Sequence, residues 1–165
     1  MSTRGIRAQL LQSEEEWAAR TDILSRHLAD LVDAYSAPGA TCGIEIGCQR
    51  GGLTDQMGQL TRVPNWTGID PSLPEKLVTD LGCTLLPARA SRLEFPDATF
   101  DVALFANVFE HIPPGERDAS LQEIYRVLKP GGVVVGQLPN PYFLIESHSR
   151  LPFMGWLPTK WQHRY

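Results

Sequence analysis

The chain has 165 residues, 42% of them apolar and 21% charged, with a net charge of −4, which suits one domain with a real core and is too little for two. No apolar run approaches the ~18–20 residues of a membrane span, and MSTRGIRAQLLQSEEEW at the N-terminus lacks the long apolar core of a secretory signal. No basic stripe is present, which argues against nucleic acid as the main partner, because phosphate binding relies on clustered Lys and Arg.

Cys42, Cys48 and Cys83 form no CxxC pair and read as small, mostly buried side chains, free thiols in a reducing, cytoplasmic compartment. No Cys/His pair has ligand spacing, so no metal is expected.

In chain order, Ser13 followed by Glu14, Glu15 and Glu16 reads as a capping box. Beyond it Trp17, Leu24, Leu28, Leu31, Val32 and Tyr35 recur at helical spacing, which predicts one amphipathic helix over 14–35, ended by SAPG at 36–39. Strands are then expected at 41–47 (TCGIEIG), 66–70 (WTGID), 83–88 (CTLLPA), 100–107 (FDVALFAN) and 133–139 (VVVGQLP). Helices are expected between some of them, at 52–61, about 73–81 and 116–129. The last places Leu121, Ile124, Val127 and Leu128 on one face and stops at Lys129-Pro130-Gly131-Gly132. Apolar strands alternating with amphipathic helices indicate an α/β fold, a doubly wound, mostly parallel sheet with helices on both faces. The tail, 140–165, is rich in Pro, aromatic residues and His, with one short helix near 142–150 and no clear pair of strands. A single domain is expected, with a helical cap over 1–39, a core over 40–140 and an irregular tail over 141–165.

The stretch GIEIGCQRGG, 43–52, joins the first strand to the second helix. In an open parallel sheet, ligands bind beyond the C-terminal strand ends, so this loop is the default site. Its glycines let backbone approach a ligand closely, and the helix start near Gly52-Leu53-Thr54 offers free N–H groups to an anion. Asp70 lies 23 residues after Gly47, where a carboxylate can accept both hydroxyls of a ribose; the alternative is a cap for a helix over 72–81. Together these point to a nucleoside-containing cofactor. A dinucleotide site would want G-x-G-x-x-G, which G-C-Q-R-G breaks at the second glycine, and Glu45 stands two residues before the first.

GIEIGCQRG resembles the first motif of class I S-adenosylmethionine-dependent methyltransferases. LEFPDATFDVALFANVFEHI, 93–112, resembles their LPF-x-D-x-x-FD…EHI segment, and RVLKPGG, 126–132, matches their turn before the fifth strand. The resemblance covers roughly 40–140. It implies a Rossmann-like methyltransferase that uses S-adenosyl-L-methionine, releases S-adenosyl-L-homocysteine and methylates a small-molecule acceptor. Residue by residue, it implies that Gly47, Gln49 and Gly51 form the loop under the methionine part, with Glu45 acting through that loop near the ammonium. Asp70 would hold the ribose, Ala90 and Ser91 would lie beside the adenine, and Asn107 and Val108 would line the path to the acceptor. His111 is the candidate base, with a loop-holding role as its alternative.

Two positions depart from the family pattern. Gln49 replaces the middle glycine, and Arg89 stands where the family often has an Asp that bonds the adenine amino group. The family sheet usually has seven strands, the last two an antiparallel hairpin. The 26 residues after Pro139 offer no hairpin, so these two strands are expected to be missing or short, through truncation or through a homodimer that covers the edge. The same departures leave open a second reading, a non-catalytic cofactor-binding or assembly subunit of the same fold.

Overall fold

The computed structural model describes residues 14–138. Helix α1 (Glu14–Tyr35) leads into β1 (Cys42–Ile46), α2 (Gly52–Leu60), β2 (Asn65–Ile69), a two-residue β3 (Leu77–Val78), β4 (Thr84–Leu86) and β5 (Phe100–Ala106). Two short 3-10 turns, Phe109–His111 and Pro114–Glu116, then precede α3 (Arg117–Val127) and β6 (Leu128–Gln137). The six strands lie in the order β3-β4-β2-β1-β5-β6. Every pair is parallel except β3 with β4. The sheet is therefore the open, doubly wound, Rossmann-like one that the alternating pattern predicts.

Side chains alternate faces along a strand, and β5 shows how both faces are filled. Val102 and Leu104 join Leu28, Ala29 and Val32 of α1 and Met57 of α2 in one core. Ala103 and Phe105 face the other way, into a core with Ile124 and Val127 of α3. Gly43 has a packing reason: a Cβ there would fall 2.7 Å from the Trp66 ring.

The two downstream motifs are held together by charge. Arg126 of RVLKPGG donates to the carbonyls of Leu93 and Phe95, both at 2.8 Å, and to the carboxylates of Asp97 and Glu123. Glu123 also accepts the Leu93 N–H at 2.8 Å. Lys129 reaches both oxygens of Asp101 at 2.9 Å. Asp101 in turn accepts the N–H groups of Thr41 and Cys42, at 2.9 and 3.0 Å, which ties the start of β5 to the start of β1.

Two expectations are corrected. The segment 73–81 is not a helix. Leu77, Val78 and Leu81 mimic helical spacing yet remain exposed, and the segment instead forms an edge strand against β4. Thr79 turns it: its N–H donates to the Cys83 carbonyl, its Oγ1 accepts the Cys83 N–H at 3.0 Å, and Gly82 sits at φ 85°. The strand expected at 133–139 begins earlier, at Leu128. Pro130 and Gly131 form an irregularity inside it, since Phe100 pairs with Leu128 and Val102 already with Val133. Among the described residues β6 is the outermost strand, where Pro is tolerated because one side of the backbone meets no partner strand. The expectations for the tail, including the helix near 142–150 and the absent last two strands, lie outside the described residues.

Candidate functional site

The C-terminal ends of β1, β2, β4 and β5 open into one cavity of ≈ 1230 Å³. Its floor is the loop after β1. Gly47 and Cys48 both donate their N–H to the Ile69 carbonyl, at 2.8 and 2.9 Å, which folds the loop onto β2. Gly47, Gln49 and Gly51 all adopt left-handed backbone, with φ of 78°, 51° and 84°. Gly47 has a second constraint, because a Cβ would meet Val108 at 2.5 Å. Gln49 carries the side chain that such a conformation disfavours by roughly 1–2 kcal/mol, yet the loop still closes. Its N–H donates to Asp70 Oδ2 at 2.9 Å.

Asp70, at the end of β2, is buried and also accepts the Ser72 N–H at 2.8 Å and the Ser72 hydroxyl at 2.6 Å. Burial works to raise its pKa, but the donors from Ser72 and Gln49 prevail and hold it below the usual value. Three hydrogen bonds leave part of its acceptor capacity open toward the cavity. The alternative reading as a helix cap does not apply, since the next element after Asp70 is the strand β3.

Glu45 lies buried beneath the loop and accepts the Thr54 hydroxyl of α2. Burial pushes its carboxyl up to about 7, opposed by Thr54 and reinforced by the nearby Asp70 charge. At Gly52, by contrast, a Cβ would meet nothing within 4 Å, so the first turn of α2 stands open to the cavity.

On the β5 side, Asn107 is at φ 53° and its N–H donates to the Gln137 carbonyl at 2.9 Å. The following 3-10 turn carries His111 to the rim, where it is exposed and lines the cavity. That turn is braced by Arg117, whose guanidinium lies 5.0 Å over the Phe109 ring and donates to the Ile112 carbonyl at 3.0 Å.

On the β4 side, Ala90 and Ser91 line the cavity together with Arg89. Here the fold adds a residue that the sequence reading missed. Glu116, from the turn before α3, accepts the Ser91 hydroxyl at 2.8 Å and faces Arg89 at 3.6 Å. The available signal was the Arg89 departure itself, which removes a carboxylate and invites a search for another.

Of the residues singled out in sequence, Glu45, Gly47, Gln49, Asp70, Ala90, Ser91, Asn107, Val108 and His111 meet in this one cavity. Gly51 stands behind it. It begins α2, and a Cβ there would fall 2.7 Å from Leu85.

An open, mostly parallel sheet with a glycine loop, a buried acid after β2 and a cavity across the switch point defines a doubly wound α/β domain with a ligand-sized cavity at the C-terminal strand ends. A family model described as a methyltransferase domain matches residues 44–136, more than half of the chain. The chain belongs to that family. It is 34% identical over 96 residues to the sterol 4-C-methyltransferase strm-1 of Caenorhabditis elegans, a match covering 54% of this chain and 28% of that protein. The chain spans less than a third of the length of the curated relatives it matches. Among solved structures it is similar to the PH0226 protein of Pyrococcus horikoshii, with a TM-score of 0.60 and 22% identity over 76% of this chain and 59% of that one. It is also similar to a SAM-dependent methyltransferase of Methanosarcina mazei, with a TM-score of 0.50 and 24% identity over 63% and 54% of the two chains. These two likenesses are of fold.

Proposed function

We propose that this cavity binds S-adenosyl-L-methionine and that the protein transfers its methyl group to a small-molecule acceptor, releasing S-adenosyl-L-homocysteine. The observation that carries the reading is the convergence of the Asp70 carboxylate and the Gly47–Gly52 loop on one cavity of ≈ 1230 Å³. The residues present fit the group. Asp70 has acceptor capacity left for a ribose diol, Gly47 and the open turn at Gly52 leave room for a methionine chain, and Glu45, pushed up to about 7 by burial, would ionise beneath a cationic end.

The cofactor brings a methyl group already activated on a sulfonium, so the protein's work is positioning. Asn107 and Val108 form the wall between the cofactor loop and the entrance, where an acceptor atom must be held in line and water kept out. His111, on its braced turn at the rim, accepts the proton from an acceptor hydroxyl or ammonium. A small-molecule acceptor agrees with the similarity to a sterol 4-C-methyltransferase. The three unpaired thiols support the reading of a reducing, cytoplasmic setting. Among the described residues, no helix is long and apolar enough to cross a membrane.

Titration calorimetry with S-adenosyl-L-methionine and S-adenosyl-L-homocysteine is the direct test. Saturable binding of both, lost in Asp70→Ala, supports the assignment; no heat and no thermal stabilisation by either ligand ends it. His111→Gln should retain cofactor binding while turnover falls.

A further inference from the structure

We infer that Glu116 is the residue that selects the adenine base: its carboxylate, held by Ser91 and Arg89, accepts the exocyclic amino group. The inference rests on the cofactor reading above and adds to it a specificity-determining residue from a different part of the chain.

The exocyclic amino group of adenine only donates, so a base-reading side chain must accept. After β4 the polar side chains at the cavity are Ser91, whose hydroxyl is committed to Glu116, and Arg89, which carries five donors and no acceptor. It cannot read that group. The strand order β4-β2-β1-β5 places Asp70 between the 88–91 turn and the glycine loop. A nucleoside whose ribose sits on Asp70 and whose chain runs along the loop therefore projects its base toward 88–91. Glu116 reaches this place from across the cavity and lines it.

Its geometry leaves one oxygen open. Oε2 accepts the Ser91 hydroxyl at 2.8 Å. Oε1 lies 3.6 Å from Arg89 Nη1, beyond hydrogen-bond length, so the ion pair sets its direction without filling its lone pairs. The backbone beneath is fixed at both ends: the Glu116 N–H donates to the Pro113 carbonyl at 2.8 Å, and the Glu116 carbonyl accepts the hydroxyl of buried Ser120 at 2.8 Å. The carboxylate is thus pre-organised before a base arrives, with Ser91 and Arg89 as positioning residues. A 6-oxo purine would set its carbonyl oxygen against this carboxylate, two acceptors facing each other, which builds selection against the wrong base as well as for the right one.

The test compares S-adenosyl-L-homocysteine with its inosine counterpart, S-inosyl-L-homocysteine, by calorimetry on the full chain. The unmodified protein should prefer the adenosyl ligand by about tenfold or more. Glu116→Ala should lower adenosyl affinity about tenfold and change inosyl affinity less than about twofold. Glu116→Gln, whose amide can donate to a 6-oxo group, should bring the two affinities together. Ser91→Ala, remote from the backbone bonds that start α3, should shrink the preference in the same direction. An equal loss for both ligands in Glu116→Ala, or an undiminished preference in Glu116→Gln and Ser91→Ala, overturns the inference. Adenosyl binding without base preference in the unmodified protein also overturns it while leaving the cofactor reading standing. Absence of adenosyl binding removes both.

Discussion

At the N-terminal end of the sheet Asp101 meets Lys129 and two backbone N–H groups, and Glu123 meets Arg126. At the C-terminal end Asp70 is held by a hydroxyl and N–H groups, and Glu45 by the Thr54 hydroxyl. The contrast appears in their acidities. Arg126 draws Glu123 down to about 2. For Asp101, burial raises the pKa but Lys129 and the N–H donors outweigh it, so the net shift is downward. Glu45, buried without a guanidinium or ammonium beside it, is pushed up to about 7. One end of the sheet neutralises its carboxylates within the fold. At the other end neutral donors hold Asp70 below its usual pKa while Glu45 keeps its proton up to about 7, a contrast that the proposed cationic cofactor would use.

That difference can be broken at either end. The largest effect is expected at Asp70. Asp70→Ala should reduce S-adenosyl-L-homocysteine affinity by about a hundredfold, the loss of hydrogen bonds to a charged acceptor, with only a modest fall in Tm. Unchanged affinity would mean that Asp70 serves the loop alone.

Next comes Glu45, where stability and binding should respond to pH with opposite signs. Its folded pKa of about 7 lies above its ordinary 4.5. The folded state therefore binds the proton more tightly, and the stability it contributes is present below about 4.5 and lost as pH rises through 7. Glu45→Gln should stabilise the protein by about 1–3 kcal/mol at pH 8 and change little at pH 4, as read by denaturant titration. A cation in the cavity favours the ionised carboxyl, so S-adenosyl-L-methionine affinity should rise severalfold from pH 6 to pH 8. Glu45→Gln should flatten that rise.

At the opposite end Asp101→Asn should cost about 1–2 kcal/mol, through weakened bonds to Thr41, Cys42 and Lys129, and leave cofactor affinity intact. The sign with pH is reversed there. Asp101 is depressed, so its contribution is present above the ordinary carboxylate pKa and lost as pH falls through its lower folded value. The smallest effect is expected from Gln49→Gly, which removes a side chain from left-handed backbone and should stabilise by about 0.5–1 kcal/mol. A loss of stability would show that the Gln49 side chain contributes contacts of its own.

How much was legible in the sequence follows from the range of the forces involved. The helix over 14–35 and β1, β2, β4 and β5 were legible because local apolar runs and Gly or Pro punctuation decide them. The segment 73–81 was not, because Leu77, Val78 and Leu81 repeat at helical spacing while their fate is set by pairing with β4, which no local pattern reveals. The start of β6 was obscured for a related reason: Lys129-Pro130-Gly131-Gly132 reads as a stop, whereas the partner strand β5 absorbs it as an irregularity. In the cavity, the residues at strand ends were legible from their position after apolar runs. Glu116 was not, since only the folded chain brings it to Ser91.

The Arg126 clamp sets a rule for anyone who would re-engineer this domain. One guanidinium spans the carbonyls of Leu93 and Phe95 and the carboxylates of Asp97 and Glu123. The segment leading from the 88–91 turn into β5 and the C-terminal half of α3 therefore form one transplantable part. A chimaera joined between residues 99 and 117 would separate the two halves of that part, and the graft would keep its shape only if Glu123 and Arg126 travelled with it.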